Sequence, residues 1–344
     1  MRLIIYAPNV HRGGGKTLLL SVLNTARKRS SSIAVLDQRL EIPAELNLAL
    51  PITRVVPTIL GRLAGEWALR QLVKDTDRVL CFGNLPPLFK VSGRVFVFLQ
   101  NRYLVDPCTL DGFPFNVKLR LMAERLWLRA CHSHADSFIV QTRSMQQLVI
   151  SVLGQAVEVM AFFPEFSGYQ RQKPQGDHTG TITYDFLYVA TGEPHKNHAN
   201  LIEAWKILAA DGHYPSLCLT IMKSDYPDLF QLIERAKSDH KLNISNVQSV
   251  SQSDIQRLYS QAQAMVYPSV MESFGLPLIE ARQAGLPILA SELDYVRDVV
   301  DPEEVFDPHS PQSIARAVRR FLQIPDSPLP VLSSEAFVSR LVSV

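Results

Sequence analysis

The chain has 344 residues, of which 47% are hydrophobic, and a formal net charge of +2. A chain of this length is too long to fold around one ordinary hydrophobic core, so two domains are predicted. The near-neutral charge lacks the basic signature of nucleic-acid-binding proteins, so no nucleic-acid partner is expected. No apolar run reaches the about 18 residues of a transmembrane helix, and the first apolar run is too short for a signal peptide. We therefore expect a cytoplasmic protein whose four cysteines, which form no C-x-x-C pair, are free thiols.

The first apolar segment, LIIYAP, precedes a glycine-rich sequence, PNVHRGGGKT, that ends like a phosphate-binding P-loop. The P-loop pattern G-x-x-x-x-G-K-[ST] requires glycine where the chain has Val10, and the dinucleotide pattern G-x-G-x-x-G fails at Leu18. A helix is predicted to follow over residues 15–29. A strand, a glycine loop and a helix N-terminus form a generic anion site, although the glycines are equally consistent with a tight turn.

Short apolar strands alternate with helical segments through the first half of the chain, which indicates a doubly wound α/β domain over residues 1–165. Strands are predicted at residues 2–7, 32–37, 78–83, 94–100 and 137–142. Further helices are predicted at about 61–74 and about 117–131.

The composition then changes, because residues 166–183 are polar and rich in Pro, Gly and Gln, and we predict an interdomain linker there. A second doubly wound domain is predicted over 184–322, and residues 323–344 are expected to cross back to the first domain. Its strands are predicted at 186–190, 217–222, 246–250, 264–269, 286–291 and 304–308. Ligands of such domains bind at the carboxyl ends of the strands, so a site is expected in the cleft between the domains.

The segment VYPSVMESFGLPLIEARQAG, residues 266–285, combines the end of a strand, a loop and the start of a helix. Glu272 lies in the loop and Glu280 about one turn inside the helix. Between them, the backbone N–H groups of Gly275 and Leu276 lie at the helix N-terminus, where the dipole favours anions. Carboxylates accept hydrogen bonds from sugar hydroxyls. The combination therefore predicts a nucleotide-sugar site, with phosphates at the helix end and hydroxyls on the glutamates.

The sequence ESFGLPLIEA resembles the E-x7-E motif of retaining GT-B glycosyltransferases, and glycosyltransferase family 4 (group 1 type) is the closest match. The segment FLYVATGEPHKNHANLIEAW is similar to the one that carries the family's donor-diphosphate lysine. The resemblance is specific over about residues 186–320 and weak before them. It implies an α/β GT-B architecture, in which two doubly wound Rossmann-like domains face each other across a cleft.

The resemblance also implies an activity. The expected reaction moves a sugar from a nucleotide-diphosphate donor to a glycan or lipid-linked glycan acceptor with retention, as in O-antigen or capsule synthesis. No metal, cofactor or protein nucleophile is expected. The implied catalytic residues are Lys196, which would neutralise the leaving diphosphate, and Glu272, which would hold hydroxyls of the donor sugar. The implied donor-binding residues also include Gly14, Gly15, Phe274, Gly275, Leu276 and, on the ribose, Glu280.

The sequence departs from the family at the diphosphate. Many members carry an arginine about five residues before the lysine, and this chain has Thr191 there. Candidates to replace the arginine are His195, Arg12 and Lys16. A first-domain histidine often contacts the donor sugar in the family, and the nearest residue by context here is Asn101.

Two polar clusters suggest metal sites only weakly. The sequence CHSHAD supplies one group of ligands, whereas a zinc site needs two separated pairs. Asp75-Thr76-Asp77 precedes its strand instead of following it, so a solvated loop is expected there.

The helix VKLRLMAERLWLRA places Lys118, Arg125 and Arg129 on one stripe that apolar residues flank. Such a stripe is either a solvated face or a peripheral contact with the anionic inner face of the membrane.

Two rival functions remain open. A P-loop-like nucleotide hydrolase would use Lys16 and Thr17, and the missing first glycine argues against it. A catalytically silent GT-B partner protein would lack the glutamate pair, which is intact here, although the missing arginine favours it slightly.

Overall fold

The computed structural model describes residues 2–28, 31–46, 50–162, 182–248 and 251–325. The predicted linker, 166–183, lies outside the described residues except for its last two positions. The predicted tail, 323–344, lies outside them except for its first three.

The first domain contains a parallel sheet with four helices packed on it in the described part of the chain. Its strands are β1 (Leu3–Ala7), β2 (Ser32–Asp37), β3 (Ile52–Val55), β4 (Arg78–Cys81), β5 (Arg94–Phe98), β6 (Ser137–Val140) and β7 (Val157–Val159). Its helices are α1 (Gly13–Ala26), α2 (Ile59–Leu72), α3 (Phe115–Cys131) and α4 (Arg143–Leu153). The strand order is β3-β2-β1-β4-β5-β6-β7, as in a doubly wound fold.

The second domain repeats the pattern with six described strands. Its strands are β8 (Tyr184–Tyr188), β9 (Leu217–Leu219), β10 (Ile244–Asn246), β11 (Ala262–Tyr267), β12 (Ile288–Ser291) and β13 (Glu304–Phe306). Its helices are α5 (His198–Ala210), α6 (Pro227–His240), α7 (Gln252–Gln261), α8 (Leu276–Gln283), α9 (Asp294–Arg297) and α10 (Pro311–Phe321). The parallel strand order is β10-β9-β8-β11-β12-β13.

Helices cover both faces of the first sheet, because successive side chains of its strands point to opposite faces. Ile4 and Tyr6 of β1 pack in one cluster with α2, α3 and α4, whereas Ile5 and Ala7 pack in another with α1. Fully burying an aliphatic or aromatic side chain contributes about 1.5–3 kcal/mol to folding. The alternation therefore stabilises the sheet from both sides and explains its continuous apolar strands.

The structure corrects several predicted elements. Strands β3 and β7 and helix α4 were not predicted, and the strand expected at 246–250 lies at Ile244–Asn246. Strands β3 and β7 end the sheet, and exposed side chains interrupt their apolar character. Helix α1 begins at Gly13, so the glycines form its first turn instead of a loop that precedes it.

Candidate active site

A cleft of about 420 Å³ lies between the two domains. Its walls are the segments that follow β1, β4 and β5 in the first domain and β8 and β11 in the second. These are the carboxyl ends of parallel strands, where the topology predicts a ligand site. The contact is direct, because Thr142 Oγ1 donates a hydrogen bond of 3.1 Å to the carbonyl oxygen of Ser273 in the opposite domain.

The two residues that the resemblance implies as catalytic, Lys196 and Glu272, are in contact. Lys196 Nζ lies 2.5 Å from Glu272 Oε1, which also accepts hydrogen bonds from Ser269 Oγ at 2.8 Å and from the Tyr267 hydroxyl at 2.9 Å. Glu272 lines the cleft, whereas Lys196 lies behind it. All three donors bind one carboxylate oxygen, and no hydrogen bond to Oε2 is formed within the described part of the chain. One oxygen is therefore fixed by the protein and the other is left for a ligand.

The charge of Glu272 is maintained although the side chain is largely buried. Burial alone raises the pKa of a carboxyl group, but the Lys196 ammonium and the hydrogen bonds from Lys196 and Ser269 outweigh it and hold the pKa of Glu272 below its usual range. The carboxylate is therefore ionised at neutral pH.

Three buried tyrosines support the pair from below. Tyr267 donates to Glu272, Tyr188 donates to the Lys196 carbonyl at 2.8 Å, and Tyr295 donates to the Ser269 carbonyl at 2.8 Å. The pKa of each tyrosine is raised, first by burial and then by the negative charge of Glu272. All three hydroxyl groups therefore remain neutral donors. The sequence interpretation did not identify them; the only signal for Tyr267 was its position at the end of the strand before Glu272.

The turn that carries Lys196 is tied to the same loop. Asn197 adopts a left-handed conformation (φ 61°), which asparagine tolerates better than most residues. Its side-chain amide donates to the carbonyls of Pro268 and Pro308 at 3.0 and 2.7 Å, and the Val270 amide donates to the His195 carbonyl at 2.9 Å. Lys196 and Glu272 are therefore positioned by one network.

His195 lines the cleft and its ring lies edge-on to the first-domain Tyr103, with centroids 5.4 Å apart. Its Nδ1 is buried and has no hydrogen-bond partner among the described residues. Burial and then the charge of Lys196 lower the pKa of His195. The imidazole is therefore neutral at pH 7.

The glycine-rich turn faces this wall from the first domain. Gly14 and Gly15 line the cleft, and a Cβ atom added to Gly14 would lie 3.0 Å from Leu276 Cδ1. Gly275 caps α8 with a φ of 72°, a conformation that favours glycine. The first turns of α1 and α8 therefore approach each other closely, with Phe274 buried beneath.

Not every predicted site residue borders the cleft. Asn101 does, and its side chain accepts from the Tyr103 amide at 3.1 Å, which caps a short 3-10 helix. Glu280 lies outside the lining and accepts from the Tyr259 hydroxyl at 3.0 Å. Lys16 also lies outside it, with Nζ 3.8 Å from Glu41 Oε2. Three further predicted residues, Phe274, Gly275 and Leu276, are not among the residues that line the cleft.

Two sequence expectations about charged residues were wrong. Asp77 is not in a solvated loop, because its buried carboxylate accepts from Arg2 and from the Lys74 amide, and the Arg2 hydrogen bond leads in lowering its pKa to about 2. Arg125 does not lie on a solvated stripe, because its guanidinium donates to the carbonyls of Tyr103 and Asp106.

The other polar clusters are held by ordinary contacts. His134 Nδ1 lies 2.9 Å from the Pro87 carbonyl oxygen and His132 Nδ1 lies 3.0 Å from Gln155 Nε2. The described residues contain no cluster of three or more His, Cys, Asp or Glu side chains arranged to hold a metal ion. The four cysteines are free thiols, as predicted. No described helix is both long enough and apolar enough to cross a membrane.

Comparison with known proteins agrees with this geometry. Residues 174–331, somewhat less than half of the chain, match the family model of the glycosyl transferases group 1. The O-antigen chain mannosyltransferase B of Escherichia coli is 32% identical over 140 residues, which are 40% of this chain and 36% of that protein. The O-antigen chain mannosyltransferase RfbU of Salmonella typhimurium is 30% identical over 144 residues, 41% of this chain and 39% of that protein. The matched segment thus spans between a third and two fifths of these two relatives.

The whole fold also has solved counterparts. The structure of Anabaena Alr3699/HepE in complex with UDP-glucose superposes with a TM-score of 0.67 and 16% identity, and covers 94% of this chain and 90% of that one. At this identity the likeness shows the fold alone. The chain has the GT-B architecture, which confirms the predicted fold class. Its second domain is the part that matches the group 1 glycosyl transferases.

Proposed function

We propose that the protein is a retaining, metal-independent glycosyltransferase of family 4. It transfers a hexosyl group from a nucleoside-diphosphate sugar to a glycan or lipid-linked glycan during synthesis of a surface polysaccharide such as O-antigen or capsule. One observation carries the proposal. Glu272 has one oxygen fixed by three donors, and its other oxygen has no hydrogen-bond partner among the described residues; the side chain lies beside Lys196 and across the cleft from Gly14 and Gly15.

These residues suit the chemistry of glycosyl transfer. The bond between the anomeric carbon and the β-phosphate oxygen breaks, and its electron pair stays on the departing diphosphate. The acceptor hydroxyl oxygen forms the new bond on the same face, and its proton passes to the leaving phosphate oxygen. The Lys196 ammonium and the N-termini of α1 and α8 stabilise the developing negative charge. The ionised Glu272 accepts hydrogen bonds from the donor sugar as positive charge develops on the ring.

The comparisons indicate which donor sugar and which leaving group to test first. Two partial relatives are named O-antigen mannosyltransferases, so mannose is the first sugar to test. A protein of the same fold was solved with UDP-glucose, which supports a nucleoside diphosphate as the leaving group. The acceptor is then a growing saccharide or its lipid-linked form, at the cytoplasmic side of the inner membrane.

The first domain has a surface suited to that membrane. Phe115, Leu119, Met122 and Leu126 recur at helical spacing on α3 and are 81%, 59%, 56% and 71% exposed. The neighbouring α2 exposes Ile59, Leu60 and Trp67 by 82%, 79% and 53%, and Arg62 of α2 stacks on Trp127 of α3. We name this two-helix surface the apolar face.

Basic residues border the apolar face, since Lys118 and Arg129 lie on α3 beside the stripe. A peripheral contact with anionic lipid is therefore part of the proposal. The double substitution Phe115→Gln and Leu126→Gln is expected to abolish sedimentation with phosphatidylglycerol vesicles at low salt. Leu232→Gln, at an exposed position of the second-domain helix α6, serves as the matched control. Wild-type protein that does not sediment with the vesicles would overturn the proposed membrane contact.

The central experiment is a thermal-shift titration with UDP, GDP, dTDP, ADP, ATP and GTP, with and without magnesium. Ligand at 100 times its Kd stabilises the native state by about 2.7 kcal/mol. We expect one non-adenine diphosphate to stabilise the wild type without metal and Glu280→Ala to lose the effect. Glu234→Gln, an exposed glutamate on α6, is the control.

The same titration separates the rival functions. Stabilisation by ATP or GTP with magnesium alone, lost in a Lys16→Ala variant, would indicate the nucleotide hydrolase. Absence of any nucleotide effect would favour a silent partner protein. The structure gives the hydrolase no support, because Lys16 lies beside Glu41 and not in the cleft.

A further inference from the structure

The second-domain wall of the cleft is short of positive charge for a diphosphate. Lys196 supplies one ammonium, and Glu272 already binds it. Position 191 carries threonine, whose hydroxyl bonds to Glu193, and the Glu193 carboxylate itself lines the cleft. Among the described residues of this wall, the ammonium of Lys196 is therefore set against two carboxylates, those of Glu272 and Glu193. A departing diphosphate needs compensating charge from another part of the site.

The first domain brings three arginines to the cleft: Arg12, Arg102 and Arg120. Arg102 Nε is 2.8 Å from Asp106 Oδ2, and Arg120 Nε is 3.9 Å from Glu124 Oε1. Arg12 is exposed, and no acidic side chain of the described chain lies within 4 Å of it. Of the three guanidinium groups, that of Arg12 is therefore the one without a carboxylate partner in the part of the chain that the structure describes.

The two other candidates to replace the missing arginine fit less well. Lys16 lies outside the cleft lining, with Nζ 3.8 Å from Glu41 Oε2. His195 borders the cleft, but its ring packs against Tyr103. Its buried Nδ1 has no hydrogen-bond partner among the described residues. Burial lowers its pKa, so it contributes a neutral imidazole instead of a cation.

Arg12 lies in the same cleft as the loop that carries Thr191. Arg12 is the N-cap residue of α1 and directly precedes the glycines that approach α8. Across the cleft, the Tyr226 ring covers Gly192, the residue after Thr191, because a Cβ atom there would lie 2.4 Å from Tyr226 Cγ. Arg12 and Glu193, which lies two positions after Thr191, both line this cleft.

We propose that Arg12 supplies the second cation for the donor diphosphate, from the first domain, in place of an arginine at position 191. This inference rests on the proposed function. The diphosphate is then held from both domains, by Lys196 on one side and Arg12 on the other. A guanidinium presents two parallel N–H donors to a phosphate, which a lysine at this position does not.

The test is a calorimetric comparison of the wild type with Arg12→Gln, Arg12→Lys, Lys16→Gln and Arg78→Gln. Arg78 is an exposed arginine at the amino end of β4, the edge of the same sheet that faces away from the cleft. The probes are the nucleoside diphosphate that binds the wild type and the same nucleoside without phosphate, the latter measured by saturation-transfer NMR. We expect Arg12→Gln to weaken the diphosphate about 10- to 100-fold and the nucleoside less than about 2-fold. Arg12→Lys should recover part of the loss, and Arg78→Gln should match the wild type.

Each other outcome counts against the inference. Equal losses for diphosphate and nucleoside would mean that Arg12 only shapes the turn. An unchanged diphosphate affinity in Arg12→Gln, or a larger loss in Lys16→Gln, would assign the cation elsewhere while the glycosyltransferase proposal stands. Wild-type protein that binds no nucleoside diphosphate would instead overturn the proposed function together with this inference.

Discussion

Lowering the pH should destabilise the second domain through one buried histidine. His198 is the first residue of α5, is 3% exposed, and packs on Tyr188 with ring centroids 4.8 Å apart. Neither ring nitrogen has a hydrogen-bond partner among the described residues. Burial and then the charge of Lys196 lower its pKa from 6.5 to about 3. The folded protein therefore keeps His198 neutral at a pH where the unfolded chain protonates it.

The direction and size follow from proton linkage. Because the unfolded state binds the proton more tightly, the free energy of unfolding decreases as the pH falls below 6.5. For a shift from 6.5 to about 3, the native state loses about 2 kcal/mol between pH 7 and pH 5. His198→Leu, with a side chain of similar size and no titrating group, removes this term. The variant should lose about 2 kcal/mol less than the wild type over that interval.

Urea unfolding at pH 7, 6 and 5 measures the difference. Trp67→Phe and Trp127→Phe leave Trp205, in the second-domain core, as the single fluorescent reporter. His240→Gln, an exposed histidine at the end of α6, is the control and should follow the wild type. Parallel losses of stability in His198→Leu and the wild type would refute the reasoning.

Three further predictions concern the cleft and the contact between the domains. Glu272→Gln keeps the shape of the side chain but removes its charge, so transfer should fall about 100-fold in a nucleoside-diphosphate release assay, and an unchanged rate would exclude the proposed role. A Cβ atom added at Gly14 would lie 3.0 Å from Leu276 Cδ1, and Gly14→Val adds two methyl groups beyond that atom. Diphosphate affinity measured by calorimetry should therefore fall at least about 10-fold, with a smaller loss for Gly14→Ala. Asp298→Asn weakens the acceptor of the Ser144 amide and hydroxyl across the domain contact; amide exchange at the start of α4 should accelerate, whereas unaltered exchange would show that this contact does not hold the domains together.

The motif residues could be predicted from sequence because a short segment contains them. The loop and helix of ESFGLPLIEA fix Glu272, Gly275 and Leu276 relative to one another, and the structure places Glu272 in the cleft as expected. The hydroxyl groups that hold Glu272 were not predicted. In the sequence, Tyr267 and Ser269 have the pattern of an ordinary buried strand end. Their contacts with Glu272 form only because the following loop folds back over them.

Long-range pairing explains the other differences. Asp77 pairs with Arg2, which is 75 positions away, so its burial could not follow from the local polar sequence. Arg125 shares a helical stripe with Lys118 and Arg129, but carbonyls from the segment after β5 draw it back into the domain. The contact of Glu280 with a ligand stays a prediction; its carboxylate accepts a hydrogen bond from the Tyr259 hydroxyl and is not among the groups that line the cleft.

The most direct test of the central claim is sugar transfer itself. Wild type, Lys196→Met and Arg78→Gln would be incubated with GDP-mannose and UDP-glucose and a lipid-linked oligosaccharide extract, and the released nucleoside diphosphate quantified. We predict acceptor-dependent release from one donor by the wild type and Arg78→Gln, and loss of at least about 100-fold in Lys196→Met. Proton NMR of the product should show the anomeric configuration of the donor. Release that is independent of Lys196, or a product of inverted configuration, would contradict the account.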